Sequence, residues 1–406
     1  MSHRETIQIS GEENVQKQVL SYRLSPLGKT PDWKALDVYQ STLTKDQFLG
    51  DLTRYFTCSD EWKKFIEVRD DYALISEAAS CIERRYRMNF ATPGQEKKTS
   101  RYWRKKEELA NAETPLRGLH VAIDAGHLGG EWAQMEERWF RIDDGRPVTE
   151  GDMTLYVARL LQPILEKKGA VVSLVRKDTE PLTKDRPEQL MPLARAENPT
   201  LANPFYLNKA AESLFYRTSE IRARAAYVNE VIKPDLVLCL HFNAVAWGDP
   251  SNPTLVDENH LHILLNGAYT DEEIGFDDQR YEMIRKILQG TLHEEAAVAG
   301  VMADVFAKQS KLPPYPYEPD SKRARNVADH PYLWARNLLA NRLYDCPVIF
   351  FEPYVMNSKE VYERIQAGDY TGLPVVAGEP RKSIYREYAD AVVDGLLEYY
   401  QKSPAK

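Results

Sequence analysis

The sequence has little of what marks several classes of protein. Its formal net charge is −8, so it has no excess of Lys and Arg with which to bind nucleic acid or an anionic membrane surface. No apolar run approaches the roughly 18 residues that a membrane span needs. The opening MSHRETIQIS has no apolar core of a signal peptide, although a chain whose signal has been removed would read the same. We therefore expect a globular protein with neither a membrane span nor a nucleic-acid partner.

Cysteine is also scarce. The four cysteines, Cys58, Cys81, Cys239 and Cys346, include no CxxC pair. Cys239 and Cys346 lie within apolar, strand-like segments, where a thiol behaves as a small hydrophobic group. We expect buried, reduced thiols, which do not define a cellular compartment.

The composition and the hydrophobic pattern of the chain change near residue 115. Residues 1–115 are polar and charged, and we expect them to form a helical accessory region. Within this region Thr44 and Gln47 form a capping-box signature, and DDYALISEAASCIERRYRM reads as a helix. Residues 116–402 instead alternate short apolar runs with amphipathic helices, and we assign them to a second, catalytic domain.

The alternating pattern predicts the architecture of residues 116–402. The expected strands are LHVAIDA (119–125), AVVSLVR (170–176), DLVLCLHF (235–242), HLHILLN (260–266) and CPVIFFE (346–352). The expected helices are 152–168, 219–232, a long one within 280–310, and the chain end from IYREYADAVV onward. Strands alternating with helices favour a three-layer α/β/α fold with a twisted, mostly parallel sheet, here preceded by the helical N-terminal extension.

Three of these strands are followed or closed by a side chain suited to chemistry. His127 follows the first strand, His241 ends the third and Glu352 ends the last. In open α/β sheets, ligand sites gather at the carboxyl ends of strands. Two histidines and a carboxylate are a common ligand set for catalytic zinc, and Glu150, at the start of a helix, is a further candidate carboxylate.

The order of these motifs resembles the zinc-dependent N-acetylmuramoyl-L-alanine amidases of the amidase-3 type. The segment IDAGH is similar to the family's Asp-Pro-Gly-His-Gly, and TEGDMTLYVARLL to its glutamate opening a long helix. RTSEIRARAAYVNEVIKPDLVLCLHFNA resembles the Arg-rich helix and the strand ending Ser-Ile-His-Ala-Asn. CPVIFFEPYVMNS resembles the last strand with its catalytic glutamate. The resemblance covers roughly residues 119–400, with long insertions, and implies an α/β/α amidase.

Carried over position by position, the resemblance implies one zinc ion held by His127, Glu150 and His241. It implies that Glu352 is the general base. The residues themselves leave alternatives open, because a carboxylate at a helix N-terminus also stabilises the helix dipole. Glu136, Glu137 and Asp152 are therefore alternative ligands, and Glu352 has an alternative role as the ion-pair partner of Arg336 or another arginine.

Substrate contacts are more weakly indicated. SKRARN (321–326), which contains Arg325, is either a solvated charge cluster or a clamp for the carboxylates of an acidic peptide. His330 follows in a polar loop, and Arg336 lies where the family has a Leu-Arg stretch. His260 and His262 share one face of a strand and are either structural or surface residues, or else supports for the site or substrate contacts.

The resemblance implies peptidoglycan or a muropeptide as the substrate, and hence a periplasmic or extracellular location, although a cytoplasmic one stays open without a signal peptide. Two kinds of alternative follow from the same residues. One is a related zinc hydrolase of small amides or peptides, similar to N-formylglutamate amidohydrolases or carboxypeptidases. The other is a cell-wall-binding module without turnover. The family pattern is also interrupted by long insertions after His127, after the second strand and after His241, which we expect to shape the cleft.

Overall fold

The computed structural model describes residues 21–109, 114–318 and 321–401. The opening MSHRETIQIS lies outside these ranges. The helices are α1 (Lys45–Asp51), α2 (Glu150–Lys167), α3 (Pro187–Glu197), α4 (Pro204–Ser213), α5 (Glu220–Tyr227), α6 (Asp271–Ile274), α7 (Asp277–Gln289), α8 (Thr291–Ser310), α9 (Leu339–Leu343), α10 (Lys359–Ala367) and α11 (Ile384–Gln401).

The strands follow the same chain order. They are β1 (Ile66–Val68), β2 (Tyr72–Ala78), β3 (Cys81–Asn89), β4 (His120–Ala125), β5 (Trp139–Phe140), β6 (Val148–Thr149), β7 (Val171–Leu174), β8 (Leu236–Leu240), β9 (Leu261–Asn266), β10 (Arg325–Asn326), β11 (Leu333–Arg336), β12 (Val348–Pro353), β13 (Val375–Val376) and β14 (Glu379–Pro380).

A seven-stranded sheet forms the centre of the molecule, in the order β10-β11-β9-β12-β8-β4-β7. The pairs β7–β4, β4–β8, β8–β12 and β9–β11 are parallel. The pairs β9–β12 and β10–β11 are antiparallel. The predicted mostly parallel sheet is therefore confirmed, with the carboxyl ends of β4, β8 and β12 at one edge.

Helices cover both faces of this sheet, as the three-layer prediction requires. On one face α2, α8 and α11 pack together over side chains such as Ile123, Leu238 and Phe351. On the other face α5 and α9 cover a second buried cluster that includes Val237 and Phe350. The strands β4, β8, β9 and β12 are buried on both faces, which is why they read as continuous apolar runs. Within the described ranges, no helix is long and apolar enough to cross a membrane.

The N-terminal region departs from its helical prediction. The capping box is present, since Gln47 N–H donates to Thr44 Oγ1 at 3.2 Å and Thr44 N–H to Gln47 Oε1 at 2.8 Å. The helix expected over 70–88 is wrong, because this segment is the antiparallel hairpin β2–β3, which pairs with β1. Tyr86 and Met88 are buried while Arg87 between them is exposed, a period of two that belongs to a strand.

Candidate metal centre

The loop after β4 brings His127 towards His241. His127 has a φ of 59°, a conformation uncommon for a residue other than glycine. A Cβ atom on Gly126 would lie 2.2 Å from the His241 ring, so only glycine allows the loop to pass so close. Glycine is thus required at this position of IDAGH because the loop that carries His127 passes against the His241 ring.

Two buried arginines hold this loop by its carbonyl oxygens. Arg224, on α5, donates to Ala125 O and to His127 O, both at 2.9 Å. Arg176, after β7, donates to Ala125 O at 2.8 Å and to Gly126 O at 3.2 Å. The carbonyls of three successive residues are therefore fixed, and with them the strained backbone that carries His127.

Glu150 joins the two histidines. It is the first residue of α2, and 2% of its surface is exposed. Its Oε1 lies 3.0 Å from His241 Nδ1 and accepts the Phe242 N–H at 3.1 Å. Its Oε2 lies 3.2 Å from both His127 Nε2 and Arg138 Nε. One ligand atom from each of His127, Glu150 and His241 lies within 4.8 Å of the other two, so these residues form a group that can hold a metal ion.

The donor set and its surroundings fit a zinc ion. Two imidazoles and one carboxylate match catalytic zinc sites that keep a further position for water. Glu136 lies behind His127, with its Oε1 3.6 Å from Nδ1, as expected for a carboxylate that orients a metal-binding imidazole. The His241 ring is stacked on Phe350 at 4.3 Å and 13°, which fixes its plane. Both histidines are thus held by neighbours that do not belong to the ligand set.

The alternative carboxylates have other positions. Glu136 accepts the Leu128 and Gly129 N–H groups, so it supports the His127 loop. Asp152 accepts the Gly130 N–H at 3.0 Å. Glu137 is exposed. Among the described residues, the metal-binding group contains Glu150 and none of these three.

Glu352 lies at the carboxyl end of β12, two residues beyond the Phe350 that stacks on His241. Its pKa is raised, first by desolvation and then by the negative charge of Glu150. The pKa of Glu150 is lowered instead, because the charges of His127 and His241 outweigh the effect of burial. The two carboxylates therefore interact, and their pKa values are shifted in opposite directions, an arrangement typical of acid–base sites.

A hydrogen-bonded network adjoins Glu352, and the sequence indicated only part of it. His262 is the cross-strand partner of Glu352. Asn243 Nδ2 lies 2.9 Å from His260 Nε2 and 3.0 Å from His262 Nε2, so the amide donates to both rings. Tyr317 Oη lies 3.0 Å from His262 Nδ1. Desolvation lowers the pKa of both histidines, and we assign them a supporting role as neutral rings.

The three residues predicted to contact the substrate, Arg336, His330 and Arg325, do not lie together in the structure. Arg336 hydrogen-bonds Tyr317, whose Oη lies 3.0 Å from His262 Nδ1, and its positive charge lowers the pKa of Glu352 against the larger effect of desolvation. His330 pairs with Asp304 of α8, with Nε2 3.2 Å from Oδ1. Arg325 donates to Cys58 O, in the N-terminal region. Of these three, Arg336 alone contacts the hydrogen-bonded network beside Glu352, through Tyr317.

The sequence did not single out Arg138, although its contact with Glu150 places it next to the metal-binding group. It lies in the charged insertion after His127, where nothing in its spacing distinguishes it from its neighbours. Tyr344 and Arg176 were missed for a similar reason. Each is distant in sequence from the histidines. Through the fold, Arg176 contacts the His127 loop and Tyr344 donates to Asp124 of β4.

Comparisons with known proteins give a faint likeness. No family model matches the chain, and neither does any curated protein. Solved structures with a similar chain path include the amidase CwlD of Clostridioides difficile in complex with the GerS lipoprotein (12% identity, 70% of this chain, 99% of that chain, TM-score 0.40). They also include the N-acetylmuramyl-L-alanine amidase Ami1 of Mycobacterium abscessus in its apo form (16%, 70%, 99%, 0.38) and the N-acetylmuramoyl-L-alanine amidase AmiC2 of Nostoc punctiforme (17%, 70%, 98%, 0.34).

Proposed function

We propose that this protein is a zinc-dependent amidohydrolase of the N-acetylmuramoyl-L-alanine amidase type. Its substrate would be the amide between N-acetylmuramic acid and L-alanine in peptidoglycan. The observation that carries the proposal is the grouping of His127, Glu150 and His241 within 4.8 Å, beside Glu352, at the carboxyl edge of the sheet. Each element of that group is positioned by buried partners, as a catalytic site requires.

In this proposal, three residues bind the metal ion and a fourth transfers protons. His127, Glu150 and His241 would hold one zinc ion per chain. When bound, zinc acidifies a water molecule and polarises a carbonyl oxygen. Glu352 takes a proton from the attacking water on its carboxylate and passes it to the leaving nitrogen. Desolvation and the charge of Glu150 both favour the protonated form of Glu352, which suits the second of these steps.

Location and partner follow from the substrate. Peptidoglycan or a soluble muropeptide would be the partner, and the protein would then act in the periplasm or outside the cell. No nucleic-acid partner is proposed, given the net charge of −8.

The test is a digest of purified peptidoglycan by the zinc-loaded protein, with products identified by mass spectrometry. We expect free stem peptides and intact glycan strands. Glu352→Ala should lower the rate by about 10²- to 10⁴-fold, the usual contribution of a general acid–base group, while still binding one zinc per chain. Glu379→Ala, an exposed glutamate outside the site, is the control and should keep the wild-type rate.

The outcomes separate the parts of the proposal. A protein that binds one zinc but releases no peptide would refute the peptidoglycan assignment, and acylated amino acids and short peptides would be the next substrates. Full activity in Glu352→Ala would refute its role as the base.

A further inference from the structure

A buried imidazole lies opposite Glu352 in the central sheet, and the proposed mechanism does not use it. Glu352 of β12 and His262 of β9 are direct partners in an antiparallel pair. Side chains of such partners share one face of the sheet, with Cβ atoms about 5 Å apart. His262 is 3% exposed. Its hydrogen bonds therefore decide what surrounds Glu352 on this side.

The amide of Asn243 sets the tautomer of this imidazole. The Asn243 side-chain oxygen accepts the Ala244 N–H at 2.7 Å, so its NH₂ group faces the histidines. Nδ2 lies 2.9 Å from His260 Nε2 and 3.0 Å from His262 Nε2. An amide nitrogen donates only, so both Nε2 atoms accept. Desolvation lowers the pKa of both rings, which are therefore neutral, with the proton on Nδ1.

The proton on His262 Nδ1 fixes the role of the next hydroxyl. Tyr317 Oη lies 3.0 Å from this nitrogen, so the ring donates and the tyrosine oxygen accepts. Arg336 also hydrogen-bonds Tyr317, and a guanidinium has donors only. The Tyr317 oxygen thus accepts two hydrogen bonds, and its own proton is left to donate to a third group.

The ring of Tyr317 is held beside Glu352. Its centroid lies 4.4 Å from that of Trp334 and 4.5 Å from that of Tyr315. Desolvation and, to a smaller extent, the negative charge of Glu352 raise the pKa of Tyr317. The carboxylate that is the cross-strand partner of His262 therefore also acts on the tyrosine that His262 contacts.

We propose that Tyr317 is a positioning residue whose O–H donates a hydrogen bond to the Glu352 carboxylate. Asn243 sets the direction of this bond through the tautomer of His262. A hydrogen bond to one carboxylate oxygen favours the ionised form, against the desolvation of the site, and leaves the other oxygen to take a proton from water. This inference rests on the proposed function, because it takes Glu352 as the general base.

The first experiment measures kcat and KM of the zinc-loaded full chain on a soluble muropeptide. Tyr317→Phe removes the hydroxyl and keeps the ring. We expect kcat to fall about 10- to 100-fold, as when a group that orients a catalytic residue is lost, while KM and the zinc content stay at their wild-type values. Tyr315→Phe is the matched control, because it removes a hydroxyl from the neighbouring ring, and it should keep the wild-type kcat.

A double-mutant cycle separates a hydroxyl that acts through Glu352 from one that contacts the substrate. In the Glu352→Ala background, Tyr317→Phe should not lower kcat further, because the carboxylate that it positions is gone. A further loss in the double variant, or a wild-type kcat in Tyr317→Phe alone, would overturn the inference.

The tautomer of His262 is measured without turnover, by ¹⁵N NMR of the full chain labelled at histidine, with His262→Gln to assign the signals. We expect a protonated Nδ1 and an unprotonated Nε2. A proton on Nε2 would make Nδ1 an acceptor for the Tyr317 O–H, which would then turn away from Glu352, and the inference would be wrong. If the tautomer is as expected but the muropeptide is not cleaved, the direction of the Tyr317 hydrogen bond is supported and the proposed function is refuted.

Discussion

Glu136 shows how one side chain can serve a metal centre without binding the metal. Its carboxylate is 2% exposed, lies 3.6 Å from His127 Nδ1 and accepts the Leu128 and Gly129 N–H groups. It therefore fixes both the ring and the backbone of the His127 loop. Carboxylates in this position raise the basicity of the imidazole and hold its tautomer.

We predict that Glu136→Gln weakens zinc binding about 10- to 100-fold while one zinc per chain still binds at saturation. Glutamine keeps the size of the side chain but loses the charge that orients the imidazole. Competition with a chromogenic chelator measures the affinity. Glu131→Gln, an exposed neighbour in the same loop, should match the wild type. An unchanged affinity in Glu136→Gln would show that His127 is oriented by the loop backbone alone.

At the scale of elements, α5 is attached to β4 by a buried ion pair. Arg224 Nη1 lies 2.9 Å from Asp124 Oδ1, and Tyr344 Oη donates to Asp124 Oδ2 at 2.5 Å. The same guanidinium donates to Glu220 Oε1 at 2.7 Å and reaches the carbonyls of the His127 loop. One arginine thus links a helix, a strand and the metal-binding loop.

We predict that Arg224→Met lowers the free energy of unfolding by about 3–5 kcal/mol, because it leaves the Asp124 carboxylate buried without its cation. Asp124→Asn in the same chain should recover part of the loss, since the amide carries no charge. Urea denaturation of the two single variants and the double variant measures the coupling. Strictly additive effects would mean that the pair contributes nothing beyond its separate packing.

The same scale shows what could be predicted from the sequence. The five predicted strands of the central sheet were right. Four of them, β4, β8, β9 and β12, are buried on both faces and leave long apolar runs. The long helix expected within 280–310 is present as α8, and a further helix, α7, ends before it at Gly290, which has a φ of 65°. The β2–β3 hairpin was missed because its charged residues hide a period of two. Its partners on β1 and α7 are known only from the fold.

The residues of the candidate site also divide into those that could be predicted from the sequence and those that could not. The positions of His127, His241 and Glu352 were predictable because each lies at the carboxyl end of a buried strand, at the same edge of the sheet. Arg138 and Tyr344 were not, since their roles depend on contacts between distant segments. The place of His330 and Arg325, away from the metal, is likewise set by their partners on α8 and in the N-terminal region.

At the scale of the whole molecule, the N-terminal region shares its packing with the catalytic part. Trp33, Phe48 and Ile75 belong to the same continuous buried cluster as Ile263 and Met302. The sequence placed a boundary near residue 115 because the composition changes there. That boundary stays a prediction. Because the two parts share a core, the free energy of their shared contacts, and not the change in composition, decides whether they fold independently.

Polar contacts reinforce this shared core. Arg280 of α7 is fully buried and donates to Ser76 O of β2 at 2.9 Å. Asp277 accepts the Ala79 N–H at the hairpin turn and the Arg23 N–H, both at 2.8 Å. Opening the hairpin alone would leave these buried groups without partners, which costs roughly 1–3 kcal/mol for each neutral group and more for a charged one.

We therefore predict that the β2–β3 hairpin and the central strand β8 open together. Amide hydrogen exchange, followed by mass spectrometry of peptides from 72–89 and 236–240, should give the same opening free energy for the slowest amides of both segments. Arg280→Met should lower that free energy in both segments by a similar amount, because it removes the guanidinium that holds β2 against α7, and α7 packs on α8, which packs on the central sheet. A hairpin that exchanges several kcal/mol more easily than β8, or that alone responds to Arg280→Met, would establish the N-terminal region as a separately folding unit attached to the catalytic part.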